Sequence, residues 1–507
     1  MRPGTLLRLA LAGTRTDTAR VLLTALSAAL AASAALAALT VLAIPEPVGD
    51  PYAQAEQYRN ALLREPGLRG GTAFALLLLM IPVLALAGQC ARLGAPARDR
   101  RLAALRLAGA TPGQVGRLAV LETGVASLLG TLTALGLHLG GRVLLGRPDA
   151  RGQLALPTDV LPAPGALAAV VLGLPVVAAL ATAVLLRRVT TSPLGVTRRV
   201  ERERGPRPWS AILIATGLAA FAFGGLTLRS YDDGTAPPVG QVLGLFAGGG
   251  LVAMAGVVTG TGWISHTAGR LLHRHARGPA ALLAAGRLTA DPWAGSRTFA
   301  ALLAAVIFGA GAAGMRAYFV AQDEIERRQN RLAGVDQGAN PFYLATMDLV
   351  DLAVAVAVGI AAAGLLVAVV EGIVARRRAY AALVATGVPR GTLARSIVWQ
   401  SALPAVPAIL LALGVGLFLS RGLFAGATQG ASSYEVCEAG ADICADAVAR
   451  QQHTRIVHTP EVRVTPDVPM EHLALLGAGA LAAVLVTVGI GLLFLRASTA
   501  VEELRTT

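Results

Sequence analysis

Long apolar stretches recur along the chain and are separated by shorter polar segments. A helix needs about 20 predominantly apolar residues to cross a bilayer, and most of the stretches reach that length. The pattern predicts an all-α polytopic membrane protein with ten transmembrane helices. The predicted spans cover about 21–44, 71–91, 117–141, 165–186, 209–228, 240–264, 298–320, 349–374, 396–420 and 471–495.

Composition supports this class and gives the charge a different meaning. Hydrophobic residues make up 54% of the 507 residues, charged residues only 15%, and the mean hydropathy is +0.61. A soluble domain has about 25% charged residues. The net charge of +14 would fit a nucleic-acid partner, but the arginines gather in alternate loops. That alternation follows the positive-inside rule, so no nucleic-acid partner is expected.

The loop charges also predict an orientation. Arginine crowds residues 1–20, 92–117, 187–208, 266–297 and 375–395, whereas the loops between them are near neutral or acidic. Ten spans then place both termini in the cytoplasm. The expected location is a bacterial cytoplasmic membrane, since the chain is rich in Ala, Arg and Gly and contains no Lys.

Two basic segments between spans resemble each other. Residues 98–118 read RDRRLAALRLAGATPGQVGRL, and residues 376–396 read RRRAYAALVATGVPRGTLARS. At an offset of 278, Gly109 matches Gly387, and Arg98 and Arg100 match Arg376 and Arg378. We call residues 98–112 and 376–389 the first and second paired segments.

The repeat predicts a duplicated chain. Arg20 matches Arg297 at the similar offset of 277, ahead of the first and seventh spans. The expected organisation is a four-span unit over 1–200, a two-span region over 201–279 and a second four-span unit over 280–507. Equivalent starts lie six spans apart, so both units enter the membrane from the same side.

Each paired segment predicts a helix, a glycine break and a second helix. Residues 98–108 place Leu102 and Leu105 on one face and the arginines toward the other. Gly109 fits the position after a helix end, where glycine takes the left-handed conformation cheaply. Thr111 and Pro112 fit the N-cap and first position of the next helix. In the second unit, the eighth span is expected to continue past Glu371 to about Thr386.

Two functions fit such a segment. Its arginines could contact anionic lipid. Lipid contact requires charge but does not require the same glycine at the same place twice. The duplication therefore favours docking to a partner with two equivalent sites, such as a symmetric dimer.

The two segments resemble the signature of FtsX-like permease domains, the membrane subunits of the MacB/FtsX class of ABC transporters. The ends of the units, VTTSPLGVTRR (189–199) and RASTAVEELR (496–505), are similar to the ends of such domains. The ten-span layout resembles permeases that act on antimicrobial peptides or lipids. Such relatives often carry a large extracellular domain between spans seven and eight, for which residues 321–345 are too few.

The resemblance implies that the paired segments dock on an ABC ATPase dimer and that mechanical work is done on an extracellular or outer-leaflet substrate. The residues implied in ATPase coupling are Arg98, Arg100, Arg101, Leu102, Leu105, Gly109, Ala110, Thr111, Pro112, Arg376, Arg378, Leu383, Gly387, Val388 and Pro389.

Hydrolysis of ATP is expected to come from another chain. A Walker A motif needs Lys to reach the phosphates, and this chain contains no Lys. The sequence therefore predicts no catalytic residue, metal site or bound cofactor here, with ATP and Mg²⁺ held by the partner. The alternative function is an ATP-independent membrane scaffold or signalling partner.

The largest predicted external segment is 424–470. Cys437 and Cys444 lie in it and form either a disulfide, favoured on an oxidising side, or two free thiols. The segment either contacts a substrate or external protein or forms a small capping hairpin. Near the outer ends of their spans, His138, Arg316, Asp348 and Asp351 are expected to snorkel or pair at the interface.

Overall fold

The computed structural model describes residues 15–45, 54–80, 83, 107, 109–190, 206, 208–230, 239–333, 342–424, 426–437, 439, 444 and 452–498. The helices are α1 (Arg15–Leu42), α2 (Ala61–Arg64), α3 (Pro66–Leu78), α4 (Pro112–Leu145), α5 (Pro164–Thr190), α6 (Trp209–Ser230), α7 (Val239–His275), α8 (Pro279–Ala290), α9 (Trp293–Ala333), α10 (Phe342–Ala375), α11 (Arg377–Ala385), α12 (Arg390–Leu423) and α13 (Met470–Ser498). The strands are β1 (Ala427–Gln429), β2 (Ser432–Cys437), β3 (Thr454–Thr459) and β4 (Val462–Val464).

Apolar helices dominate the described part of the chain. In these ranges, nine helices are long and apolar enough to cross a membrane. The second predicted span, 71–91, lies partly outside the described residues. The helix α3 covers the start of this span. The structure therefore has the all-α polytopic character that the sequence predicts.

The helices pack in two groups. In the first unit, α4 packs against α1 and α5, and α3 packs against α1. In the second unit, α9 packs against α10, α12 and α13. The middle pair, α6 and α7, contacts this second group through α9 and α12. One apolar core accordingly joins residues of α7, α9, α10, α12 and α13.

Glycines allow the closest helix contacts. A Cβ on Gly217 of α6 would lie 2.4 Å from the backbone nitrogen of Ala253 in α7. A Cβ on Gly416 of α12 would lie 2.3 Å from the carbonyl oxygen of Ile307 in α9. Small residues are common at membrane helix interfaces because they let two backbones approach. These contacts fix α6 to α7 and α9 to α12.

The helices α4 and α12 show the repeat in three dimensions. Each has 34 residues, and α12 begins and ends 278 positions after α4. Val115 and Leu393 are both buried, and so are Thr131 and Ile409. Near the far end the burial differs: Leu137 is 66% exposed, whereas its match Val415 is 4% exposed. The two units also differ in their surroundings, because α6, α7 and α8 pack on α12.

The paired segments lead into α4 and α12, and we call the side where these helices begin the basic side.

On the side opposite the basic side, the connections within the first unit contact each other. We call residues 54–65 and 146–163 the first lobe. The hydroxyl of buried Tyr58 donates to the two carboxylate oxygens of Asp159 at 2.7 and 2.9 Å. The backbone N–H of Leu154 donates to the carbonyl of Gln57 at 2.7 Å.

The tyrosine is held in its neutral form. Burial, and then the Asp159 carboxylate, raise the pKa of the Tyr58 phenol above its ordinary value of 10.0. Its proton is therefore a permanent donor at neutral pH. Buried Arg69 of α3 also stabilises this region. Its guanidinium donates hydrogen bonds to the carbonyls of Leu63 and Ile44.

Asp159→Ala is expected to destabilise the protein by about 1–3 kcal/mol, because the buried phenol of Tyr58 loses its acceptor. The double variant Tyr58→Phe/Asp159→Ala removes both partners and should unfold at a temperature closer to that of the unmodified protein. Thermal unfolding in detergent measures both. Equal destabilisation by the single and double variants would show that the hydrogen bond does not hold the lobe.

A second lobe lies at the same side of the second unit. The helix α9 continues to Ala333 and so fills much of the predicted loop 321–345. Its buried residues Ala321 and Ile325 pack against Ala427 of β1. The pairs β1–β4 and β2–β3 are antiparallel and share one register. The strands of segment 424–470 thus form a β-ribbon that packs on the end of α9. We call α9 from residue 318 together with this ribbon the second lobe.

Candidate functional site: the paired segments

The second paired segment turns at Gly387, whose φ is +94°. The N–H of Gly387 donates to the carbonyl of Val384, and the N–H of Val388 donates to that of Leu383, both at 3.0 Å. This is a Schellman motif, which satisfies the free carbonyls at the end of α11. The predicted helix-ending glycine is confirmed here.

The first paired segment also has a left-handed glycine, Gly109, with φ +91°. Thr111 is the N-cap of α4, and Pro112 is its first residue. The Thr111 hydroxyl accepts from the N–H of Gln114 at 3.3 Å, and the Gln114 side chain accepts from the N–H of Thr111 at 3.1 Å. This reciprocal capping box fixes where α4 begins. Both the glycine and the cap agree with the sequence prediction.

The second unit departs from prediction before its turn. The eighth span was expected to run to about Thr386 as one helix, but α10 ends at Ala375 and α11 begins at Arg377. Arg376 between them has φ −111° and ψ 11°, outside the helical range. The break separates the span from a short helix whose residues Tyr380 and Leu383 pack on the core.

The side chains of the second segment divide between two surroundings. Leu383 and Val388 are partly buried against the core of the second unit. Arg378, Gly387 and Pro389 are exposed, and Arg376 is half-buried. The predicted coupling residues are therefore of two kinds: those open to a partner, and those that connect the turn to the bundle.

The structure describes only the end of the first paired segment, at residues 107 and 109–112. Leu107 is 91% exposed, Gly109 and Thr111 are exposed, and Ala110 is partly exposed. The predicted residues Arg98, Arg100, Arg101, Leu102 and Leu105 lie outside the described residues. Leu107 was not among the predicted coupling residues, nor was its match in the repeat, Ala385, which is also exposed. The common offset is the signal that identifies them.

Both turns connect directly to buried helix. On α4, Val115, Leu118 and Ala119 are buried within two turns of the cap. On α12, Leu393 and Ile397 belong to the core. A displacement of either glycine turn would therefore move a long packed helix rather than a loose loop.

Ionisable groups near the opposite side are paired. Arg316 of α9 donates to Asp348 and, at 2.9 Å, forms an ion pair with Asp351 of α10. The rings of Phe319 and Tyr343 stack beside them at 4.8 Å, at the kind of position where aromatic residues mark a membrane interface. The predicted pairing of Arg316 with Asp348 and Asp351 is confirmed, and it connects α9 to α10.

The ribbon carries a disulfide between Cys437 and Cys444. Cys437 is the last residue of β2 and pairs with Thr454 of β3, so the bridge lies at the far end of the ribbon. Across the part of the chain that the structure describes, no group of His, Cys, Asp and Glu is arranged to hold a metal ion.

A comparison with protein families bears on the paired segments. The family described as FtsX-like permease C-terminal matches the chain twice, over residues 72–194 and 352–501. The two matches together cover more than half of the chain, and each contains one paired segment. No curated protein and no solved structure matches.

Proposed function

Because this chain belongs to the FtsX-like permease family, whose members are membrane subunits of ABC transporters, we propose that it works with a separate ATPase dimer. It would couple ATP hydrolysis by that dimer to mechanical work at the external face of the cytoplasmic membrane. The observation that carries the proposal is the pair of left-handed glycine turns at Gly109 and Gly387, each ahead of an equivalent 34-residue helix. Two equivalent turns suit the two subunits of a symmetric ATPase.

The long helices supply the mechanical path. A helix of 34 residues is roughly 51 Å long, whereas the hydrocarbon core is about 30 Å thick. The α4 helix ends at the first lobe, where Arg142 donates to the carbonyl of Val160 at 3.0 Å. The α12 helix ends immediately before the ribbon. Closure of the ATPase dimer would thus move both lobes. Each lobe connects the helices of its unit on the side opposite the paired segments.

The proposed substrate is an outer-leaflet lipid, a lipoprotein or an antimicrobial peptide, taken from the outer face. The second lobe is also a surface for an external protein partner, and lipid surrounds the spans. ATP and Mg²⁺ would be held by the partner ATPase, whose clefts receive the exposed residues of the paired segments. No residue of this chain takes part in hydrolysis.

Co-purification tests the proposal. The full chain is expressed in its native host, solubilised in mild detergent and purified, and an ATPase with a P-loop should co-purify. Its turnover should rise when the complex is formed in nanodiscs. An ATP-independent scaffold would purify without an ATPase, or with one whose turnover the chain does not change.

Orientation has its own prediction. In a Cys90→Ala background, Cys437→Ser frees Cys444 on the ribbon, and a membrane-impermeant maleimide should label it on intact cells. Thr386→Cys, with Cys437 and Cys444 both replaced by Ser, should be labelled only after permeabilisation, because the basic side faces the cytoplasm. The reverse pattern of labelling would overturn the proposed orientation.

A further inference from the structure

The helices α7 and α8 form an antiparallel hairpin on the basic side. A Cβ on Gly269 of α7 would lie 2.8 Å from the Cβ of Leu288 in α8, and one on Gly262 would lie 2.9 Å from the ring of Trp293. The two helices therefore run side by side toward the turn between His275 and Pro279, and α7 passes Trp293 at the start of α9.

The hairpin extends well beyond the membrane. The α7 helix has 37 residues, or roughly 55 Å, which exceeds the bilayer core of about 30 Å. Trp263 and Trp293 lie at one level, because Gly262 adjoins the Trp293 ring, and exposed tryptophans mark the membrane interface. From Trp263 to His275 the helix rises a further 18 Å or so at about 1.5 Å per residue.

The tip of the hairpin is both apolar and basic. Leu271 is 61% exposed and Leu282 is 47% exposed. Arg270, Arg274 and Arg277 around them are exposed as well. Between Trp263 and Trp293 the sequence has a single acidic residue, Asp291. The tip therefore combines two exposed leucines with three exposed arginines.

The hairpin also packs on the helix that follows the second paired segment. The α8 helix packs against α12 as well as α7. The first residue of α12, Arg390, follows Pro389 directly. Any protein that contacts the Gly387 turn therefore approaches the hairpin from the same side.

We propose that the hairpin tip, residues 270–283, is a second docking surface for the ATPase subunit that receives the Gly387 turn. Acidic side chains of that subunit would meet Arg270, Arg274 and Arg277, and an apolar patch would cover Leu271 and Leu282. The inference rests on the proposed function and adds a contact outside the paired segments. A lipid headgroup fits the charge, but the tip lies beyond the headgroup layer, which is about 5–8 Å deep.

The test uses the ATPase that co-purifies with the unmodified full chain. Arg270→Glu/Arg274→Glu should retain about tenfold less of it at 0.1 M salt, and salt should shrink the difference from the unmodified chain, because exposed charges are screened. The matched variant Arg147→Glu/Arg151→Glu changes two exposed arginines on the opposite side and should retain the ATPase fully. Unchanged thermal unfolding of both variants shows that the chain is folded.

Two further arms separate the outcomes. The hairpin variant is compared in nanodiscs of neutral phosphatidylcholine and of phosphatidylcholine with phosphatidylglycerol. Equal loss in both supports a protein contact, whereas loss only in anionic nanodiscs assigns the tip to lipid and overturns the inference. Gly387→Val tests the paired segment itself: if it weakens ATPase stimulation while the hairpin variant does not, the proposed function stands and this inference fails. If the unmodified chain retains no ATPase, both fail.

Discussion

Valine at both Gly109 and Gly387 is expected to abolish stimulation of the partner ATPase and transport with it. Both glycines have φ above +90°, a conformation that costs a residue with a Cβ about 1–2 kcal/mol. A β-branched side chain would shift the backbone to relieve that strain. The turn would then present its exposed residues in another direction, at both docking sites at once.

The control for this variant comes from the same repeat. Gly136→Val/Gly414→Val changes two glycines that are also 278 positions apart, exposed and free of any atom within 4 Å of an added Cβ. Stimulated ATPase turnover and the amount of bound ATPase are measured for both. Full turnover in the Gly109/Gly387 variant would mean that the turns do not couple the two proteins.

Gly416→Leu should cause the largest loss of stability of any single change considered. An added Cβ would lie 2.3 Å from the carbonyl oxygen of Ile307 and 2.7 Å from the Cβ of Ala310. Backbone cannot yield as a flexible side chain does, so α12 must separate from α9. We expect a cost of about 3 kcal/mol or more, at the upper end for overpacked cores.

The neighbouring glycine gives a matched comparison. Gly414 is exposed, with nothing within 4 Å of an added Cβ, so Gly414→Leu should leave the unfolding temperature almost unchanged. The measurements are the yield of monodisperse protein and its thermal unfolding in detergent. If the two leucine variants unfold at the same temperature, α9 and α12 do not approach as closely as described.

Local features of the fold could be predicted from the sequence because they are encoded locally. The long apolar stretches fix the spans. Gly109 and Gly387 take positive φ because glycine does so at little cost, and Thr111 and Pro112 begin α4 through groups within one turn of the chain. The repeat offset relates α4 to α12 through sequence identity alone.

Packing between distant segments could not be predicted in this way. Nothing near Gly217 indicates that it meets Ala253, so the sequence did not show that the middle pair joins the second unit. The helix break at Arg376 could not be predicted, because no proline or glycine lies next to it in the sequence. Leu383 matched the repeat as well as Gly387 did, but only tertiary contacts show that it faces the core.

Photo-crosslinking from both turns tests directly whether they dock on the ATPase. Leu107 and its match Ala385 are exposed, and each is replaced in turn by p-benzoylphenylalanine in the full chain in native membranes. Docking at both turns predicts an adduct with the same ATPase from both positions, and none from a control at exposed Gly414. Adducts with lipid alone, or with the ATPase from neither position, would contradict it.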